Sequence, residues 1–289
     1  FSAIRTLQSA QRLYEAHKLI TYPRTDSRHL PDDYVEPLSL ALGSLKALQG
    51  FESLISRMEN KVEVKNRQIF DDSKVSDHFA IIPTGNLPTS SLKPDDEKIF
   101  DLILRRVIAA FYPAAEFENV SRITVVEDME FRSKGKFLRV PGWMEVFGKN
   151  VNDESTLPPL NIAPSESGAT PVSLLDSSSS DHITKPPPRI GEGRLLGLME
   201  HAGKTLENEE FEVMEGKGIG TPATRADIIE NLIIKGYMSR AGSGLKASAK
   251  AMRLMDLIQR VHVERLSSVQ LTAEMESLLR EVQEGKTMR

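Results

Sequence analysis

Ile20-Thr21-Tyr22-Pro23-Arg24-Thr25-Asp26-Ser27-Arg28 is the stretch on which the reading of this chain turns. Seven of its nine side chains are polar or ionisable. They follow a β-rich run over residues 19–22, which Pro23 stops because proline offers no N–H to a ladder. A tyrosine hydroxyl can attack phosphorus and form an aryl phosphate ester. With a pKa near ~10 it needs a base or a strong positive field to do so. Arg24 could supply that field and clamp phosphate oxygens. The same residues also fit an ordinary strand-to-turn junction with Tyr22 half buried, and spacing alone leaves both readings open.

Working outward, Ile4, Leu7, Leu13, Tyr14 and His17 fall near helical spacing and predict an amphipathic helix over 3–18. Pro31-Asp32-Asp33 opens another to about residue 48, and a shorter one follows near 51–58. Residues 79–83 are an apolar run ending in a Pro-Thr-Gly turn. Lys93-Pro94-Asp95-Asp96, ahead of Ile99, Leu102, Ile103, Val107 and Ile108, starts a helix that ends near Tyr112-Pro113. Alternation over 121–126 and 137–140, and the run 142–147, predict antiparallel strands. Between about 148 and 188, Pro, Ser, Asn and Asp dominate, which predicts a flexible connection or exposed β-excursion, with 172–175 as a candidate strand. From Arg189 onward helices return: one around 195–199, one opened by a turn at 218–222, one around 254–261 and a last from Thr272 to about 284. Helix, helix, short hairpin, helix fits a winged-helix-like unit. The expected fold is therefore α+β and multidomain. A helical lobe, 1–93, carries the tyrosine. A β-rich arch or hinge with a leading helix spans 94–184, and a helical winged-helix-like lobe spans 185–289.

Composition bounds the function. The chain has 289 residues, 39% hydrophobic and 27% charged, enough for two or three packed units. No apolar run reaches the ~18–20 residues of a membrane-spanning helix. The absence of Cys excludes disulfides and thiolate zinc sites and leads us to expect a reducing compartment. Starting at Phe1, the chain reads as an excised or mature piece. The net charge of −4 announces no global attraction to nucleic acid, but charge is uneven. Residues 1–30 carry a surplus of three positive charges, and Arg132, Lys134, Lys136 and Arg139 crowd one expected hairpin, as a phosphate-tracking surface or a solvated face. No Asp-X-Asp pair follows a strand, so no metal site is expected.

Two further constellations carry chemistry. His78, in Ser76-Asp77-His78-Phe79-Ala80-Ile81-Ile82-Pro83-Thr84, is a phosphate donor, a proton relay or a satisfied structural histidine. Gly218-Ile219-Gly220-Thr221-Pro222-Ala223-Thr224-Arg225 sets a glycine turn, hydroxyls and a cation at a helix start, where exposed amides favour an anion or simply cap the helix. It lacks the Gly-Lys-Ser/Thr ending of a Walker loop and the framing strand of a dinucleotide fingerprint.

These three elements, in this order, resemble the motifs of type IA DNA topoisomerases, most closely the bacterial topoisomerase III branch. Gly142-Trp143, Pro187-Pro188-Arg189 before Glu192, and Leu271-Thr272-Ala273 are weaker echoes, so the resemblance spans nearly the whole chain. It implies that Tyr22 attacks a phosphodiester of single-stranded DNA to form a 5′-phosphotyrosine, passes another strand and reseals without ATP. It implies that Arg24 stabilises the scissile phosphate and that His78 donates to it or its network. Thr21 and Thr25 would bond neighbouring backbone or phosphate, while Thr221, Thr224 and Arg225 would hold the DNA strand. The family's Toprim domain, with its catalytic Glu, Mg2+-binding Asp-X-Asp and early Lys, has no counterpart in this sequence. Phe79 stands where many members have a second His, and Ile190-Gly191 replaces a common Tyr-Thr. The resemblance thus implies a central portion of the enzyme, nearly inactive alone, that works with a Toprim domain in cis. It implies a cytoplasmic, nucleoid-associated protein with no membrane partner. The competing reading is a non-catalytic DNA-binding winged-helix module.

Overall fold

Ser2 opens the first helix, α1 (Ala3–Glu15), by accepting the Arg5 N–H at 3.3 Å, which satisfies one orphan donor of the first turn. This is a computed structural model; it describes residues 1–58, 62, 66–75, 77–148, 157, 172–173, 175–176, 178–202, 218–262, 275, 278–279, 281–282 and 285–286. Within the expected helix over 272–284 the described residues 275, 278, 279, 281 and 282 are helical; most of the 148–188 connection lies outside the described residues, and Val172, Ser173 and Leu175 carry no strand.

After α1, Lys18 takes a left-handed φ of 54°, and its carbonyl accepts from Thr84 Oγ1 at 2.7 Å and Asn86 Nδ2 at 2.9 Å. The chain then runs extended. The β-rich run is present as a single antiparallel bridge, Ile20 to Pro83. The Thr21 N–H donates to Ile82 O at 2.9 Å and the Thr84 N–H to Leu19 O at 3.0 Å. A 3₁₀ turn (Asp32–Tyr34) leads into α2 (Val35–Leu45), then α3 (Glu52–Ser56) and α4 (Pro94–Ala110). Pro94 fits the first turn of α4, where no N–H partner is lost, and Asp95, Asp96 and Glu97 favour its positive end.

The sequence grouped α4 with the arch, but it shares one core with α1 and α2. Phe100, Leu104 and Ile108 recur every four residues and pack with Leu13, Leu38, Leu42, Phe70 and Ile82. A buried ion pair reinforces the α1–α4 contact. Asp96 is fully buried and takes Arg12 Nη2 at 2.6 Å and Nε at 3.0 Å, while Ser9 Oγ accepts from Arg12 at 2.9 Å. The Arg12 hydrogen bonds outweigh burial and hold the Asp96 carboxyl below the usual carboxylate range. Arg12→Ala strands that carboxylate and is expected to cost about 3 kcal/mol in chemical denaturation at neutral pH. Because the folded-state pKa is depressed, the stabilisation is complete above the unfolded value of ~3.9 and is lost as pH falls through the lower folded value. The stabilities of wild type and variant should therefore converge in acid, and a pH-independent gap would refute the assignment.

The strands expected beyond α4 form one long hairpin, β1 (Glu116–Val126) with β2 (Met129–Val140), longer than alternation alone predicted. The third expected strand is absent: Gly142–Phe147 is a 3₁₀ segment. Pro141 starts the turn, and Gly142 sits at φ +52°, where a Cβ would lie 2.5 Å from the Pro113 and Ala114 carbonyl oxygens. The Trp143 N–H donates to Pro113 O at 2.9 Å and Val146 is fully buried, so the apolar run plugs the core as a turn.

The C-terminal part has the expected order: α5 (Glu192–Glu200), α6 (Arg225–Ile234), the hairpin β3 (Met238–Ala241) with β4 (Gly244–Ala247), and α7 (Ala249–Arg260). Ser248 caps α7 and donates its hydroxyl to Gly236 O at 2.7 Å, locking the helix to the end of α6. Helix α6 packs on α1, which brings the glycine-turn motif towards the tyrosine motif. Among the described residues no helix is long and apolar enough to cross a membrane.

Candidate active site

The tyrosine and histidine motifs, more than fifty residues apart in sequence, form one unit. Thr21 Oγ1 accepts the Ile82 N–H at 2.9 Å and donates to Ala80 O at 3.1 Å. Thr25 Oγ1 donates to His78 O at 2.9 Å and accepts the Ser27 N–H at 3.0 Å. Both threonines are thus spent on neighbouring backbone, the first of the two options read for them from sequence. The two clamps set the His78 ring 4.4 Å from the Tyr22 ring at 47°. Tyr14 of α1 closes the other side edge-on, with ring centroids 5.4 Å apart. Tyr22 is half-buried and His78 exposed, so the phenol is bordered by rings yet lies at the surface. Arg24 stands beside it in sequence with its Nε buried and lacking a hydrogen-bond partner, the only such buried side-chain N or O among the described residues. An unsatisfied buried N–H of a cation is costly and calls for an acceptor.

The glycine turn is joined to this unit through Arg225. Its guanidinium is buried and reaches Asp26 Oδ1 at 3.2 Å, Ile219 O at 3.2 Å and Gly220 O at 3.0 Å. Gly220 turns at φ +70°, a conformation that suits glycine, and brings its carbonyl under that guanidinium. Arg225 therefore positions the turn with three of its five N–H donors, while its side chain also lines the groove described below. Thr221 and Thr224 are exposed and bond each other, Oγ1 to Oγ1 at 3.1 Å, with the Thr221 N–H on Thr224 Oγ1 at 2.9 Å. Neither threonine bonds the tyrosine motif among the described residues.

A second ion pair, Arg28 to Glu200 at 3.0 Å, ties the same loop to α5. Between the loop and the turn lies a groove of about 550 Å³, lined by Thr25, Asp26, Arg28, Arg106, Glu200 and Arg225. Tyr22 and His78 stand outside its lining. Glu192, the acid of the Pro-Pro-Arg echo, accepts Ala3 N–H and Arg240 Nε, both at 2.7 Å. Burial acts to raise its carboxyl, but those bonds carry it below the usual range. Among the described residues no three His, Asp or Glu side chains converge on a cation site.

Sequence reasoning missed Tyr14 and Glu200 as site neighbours, and it gave Asp26 and Arg28, inside the quoted stretch, no partners. Tyr14 could be placed on an apolar helix face but not against Tyr22, because the turn at Lys18 decides which side of the helix the tyrosine motif folds back upon. The Arg225–Asp26 contact joins residues almost two hundred positions apart, and neither residue type announces its partner.

The chain as a whole has relatives among known proteins. A family model described as DNA topoisomerase matches residues 1–289, and the chain belongs to that family, the type IA class that its three motifs resemble. It is 36% identical over 298 residues to the DNA topoisomerase 3 of Bacillus subtilis, covering 99% of this chain and 40% of that protein. Against the DNA topoisomerase 3 of Bacillus licheniformis it is 34% identical over 291 residues, covering 99% and 39%. The chain thus spans about 40% of the length of these curated relatives. Its fold is similar to that of full-length topoisomerase I from Thermotoga maritima, with a TM-score of 0.63 at 23% identity over 100% of this chain and 44% of that one.

Proposed function

We propose that this chain is the tyrosine-bearing central region of an enzyme that breaks and reseals one strand of DNA. The Tyr22 oxygen attacks the phosphorus of a phosphodiester. The bond from phosphorus to the 3′ oxygen breaks, the 3′ oxygen leaves as a hydroxyl with a proton, and Tyr22 holds the 5′ phosphate. The reverse attack reseals the strand, so no ATP is needed. The observation that carries this reading is a surface phenol held by clamped backbone against His78, and the partnerless Nε of Arg24 two residues along the chain supports it. Arg24 would stabilise charge developing on the phosphate, and His78 would donate to it or to its network. Thr221 and Thr224 would hold the strand at the turn, with Arg225 as a positioning residue. In this reading residues 1–93 together with α4 form the tyrosine lobe, the segment from the β1–β2 hairpin to 184 the arch or hinge and 185–289 the winged-helix-like lobe, working on chromosomal DNA in the cytoplasm. In this reading Mg2+ is held by a Toprim domain acting in cis, and no step here runs through it.

Two measurements test the proposal against a non-catalytic winged-helix module. The chain should bind a single-stranded oligonucleotide at least ~10-fold more tightly than the matching duplex, since an opened strand is what such a site must reach. Alone, it should fail to relax a supercoiled plasmid, and should gain that activity when a Toprim domain is supplied. Equal or better duplex binding would favour the module, and relaxation without a Toprim domain would contradict the division of labour.

A further inference from the structure

The hairpin β1–β2 has two unlike faces. The register pairs Asn119 with Lys136, Ser121 with Lys134 and Ile123 with Arg132, so these six side chains share one face. All six are exposed. On the other face Val120, Arg122 and Thr124 are half-buried, and Gly135 is buried with Leu157 close against it. The charge differs as well. Arg139, on the covered face by alternation, pairs with Glu118. Arg132, Lys134 and Lys136 have no carboxylate partner among the described residues; the Lys136 ammonium lies over the Phe117 ring at 3.6 Å. Glu130, opposite Val125 towards the tip, is the one acid in the exposed row after Lys136.

The geometry points to this exposed face as a second contact for a nucleic-acid strand, separate from the Tyr22 site and held through its phosphates. Three cations at every second residue of one strand stand about 6.8 Å apart, of the order of the separation of successive phosphates along an extended single strand. Asn119 and Ser121 beside them add side-chain donors to phosphate oxygens. Lacking acidic partners, the cations keep their full field for an incoming polyanion, whereas Arg139 across the sheet is already neutralised. Held through phosphates, the contact carries little sequence preference. The inference rests on the proposed action on DNA and extends it: an enzyme that passes one strand through another must hold two.

The test is the salt dependence of single-strand binding by the full chain, read by fluorescence anisotropy on a labelled oligothymidine. The triple variant Arg132→Gln, Lys134→Gln, Lys136→Gln should lose roughly tenfold in affinity, and its log K against log salt slope should shrink by about 2, near 0.7 per lost phosphate contact. Lys134→Gln alone should shrink the slope by about 0.7. Arg139→Gln, on the neutralised face, should leave it unchanged. Wild-type affinity and slope in the triple variant would overturn the second contact while leaving the Tyr22 site untouched. A wild-type chain with no single-strand affinity would overturn both.

Discussion

Replacing Tyr22 with phenylalanine in the full-length protein will abolish covalent capture of DNA while leaving non-covalent binding nearly intact. The prediction is sharp because the ring and the oxygen have separate jobs here. The ring packs between Tyr14 and His78, and phenylalanine keeps both contacts. Among the described residues the hydroxyl donates no hydrogen bond, so removing it leaves no stranded partner and should cost little stability. What disappears is the only atom of that side chain able to form the ester. Single-stranded oligonucleotide, labelled at the end retained on the protein and denatured after incubation, should stay with the wild type and leave the variant completely. A variant that still traps DNA would show that the nucleophile is another residue.

Arg24→Ala in the same protein is expected to slow single-turnover cleavage by ~10²–10³-fold, the usual consequence of deleting one preorganised donor to a developing oxyanion. The effect on stability should be small or even favourable, since the substitution removes a buried N–H that has no partner. A structural role predicts the reverse, lower stability with cleavage little changed. Arg24→Lys separates charge from geometry: it restores the field without the planar fork and should recover only part of the rate. Full activity in Arg24→Ala would assign phosphate stabilisation elsewhere.

Much of the helical frame was legible because its signals are local. Pro94 and the acids after it act within one turn, whereas the apolar set read for that helix, Ile99, Leu102, Ile103, Val107 and Ile108, found its side of the core only in part: the fully packed residues are Phe100, Leu104 and Ile108, and Leu102 is exposed. The run 142–147 misled because alternation of apolar residues reports burial, not conformation, and only Gly142 with the carbonyls of Pro113 and Ala114 decides for a turn. The site was legible as three separate motifs. Their assembly was not, because the clamps from Thr21 and Thr25 to backbone some fifty to sixty residues away are long-range contacts between small hydroxyls and peptide groups, which leave no trace in spacing. Arg225 shows the limit most plainly: a cation at a helix start suggests a ligand for DNA, and only the structure reveals that three of its five donors hold Ile219 O, Gly220 O and Asp26.

The contacts between the loop after Tyr22 and the C-terminal helices have a mechanical corollary. They are Arg225 with Asp26, where the carboxylate is 50% exposed, and Arg28 with Glu200, where the guanidinium is 71% exposed. Solvent-bordered pairs of this kind are worth about 1 kcal/mol or less each, and Arg225 would keep its two backbone acceptors if Asp26 moved off. If the proposed reaction requires these parts to separate, the two ion pairs resist little, and the packing of α6 on α1 with the Ala3–Glu192 bond sets the larger share of the work.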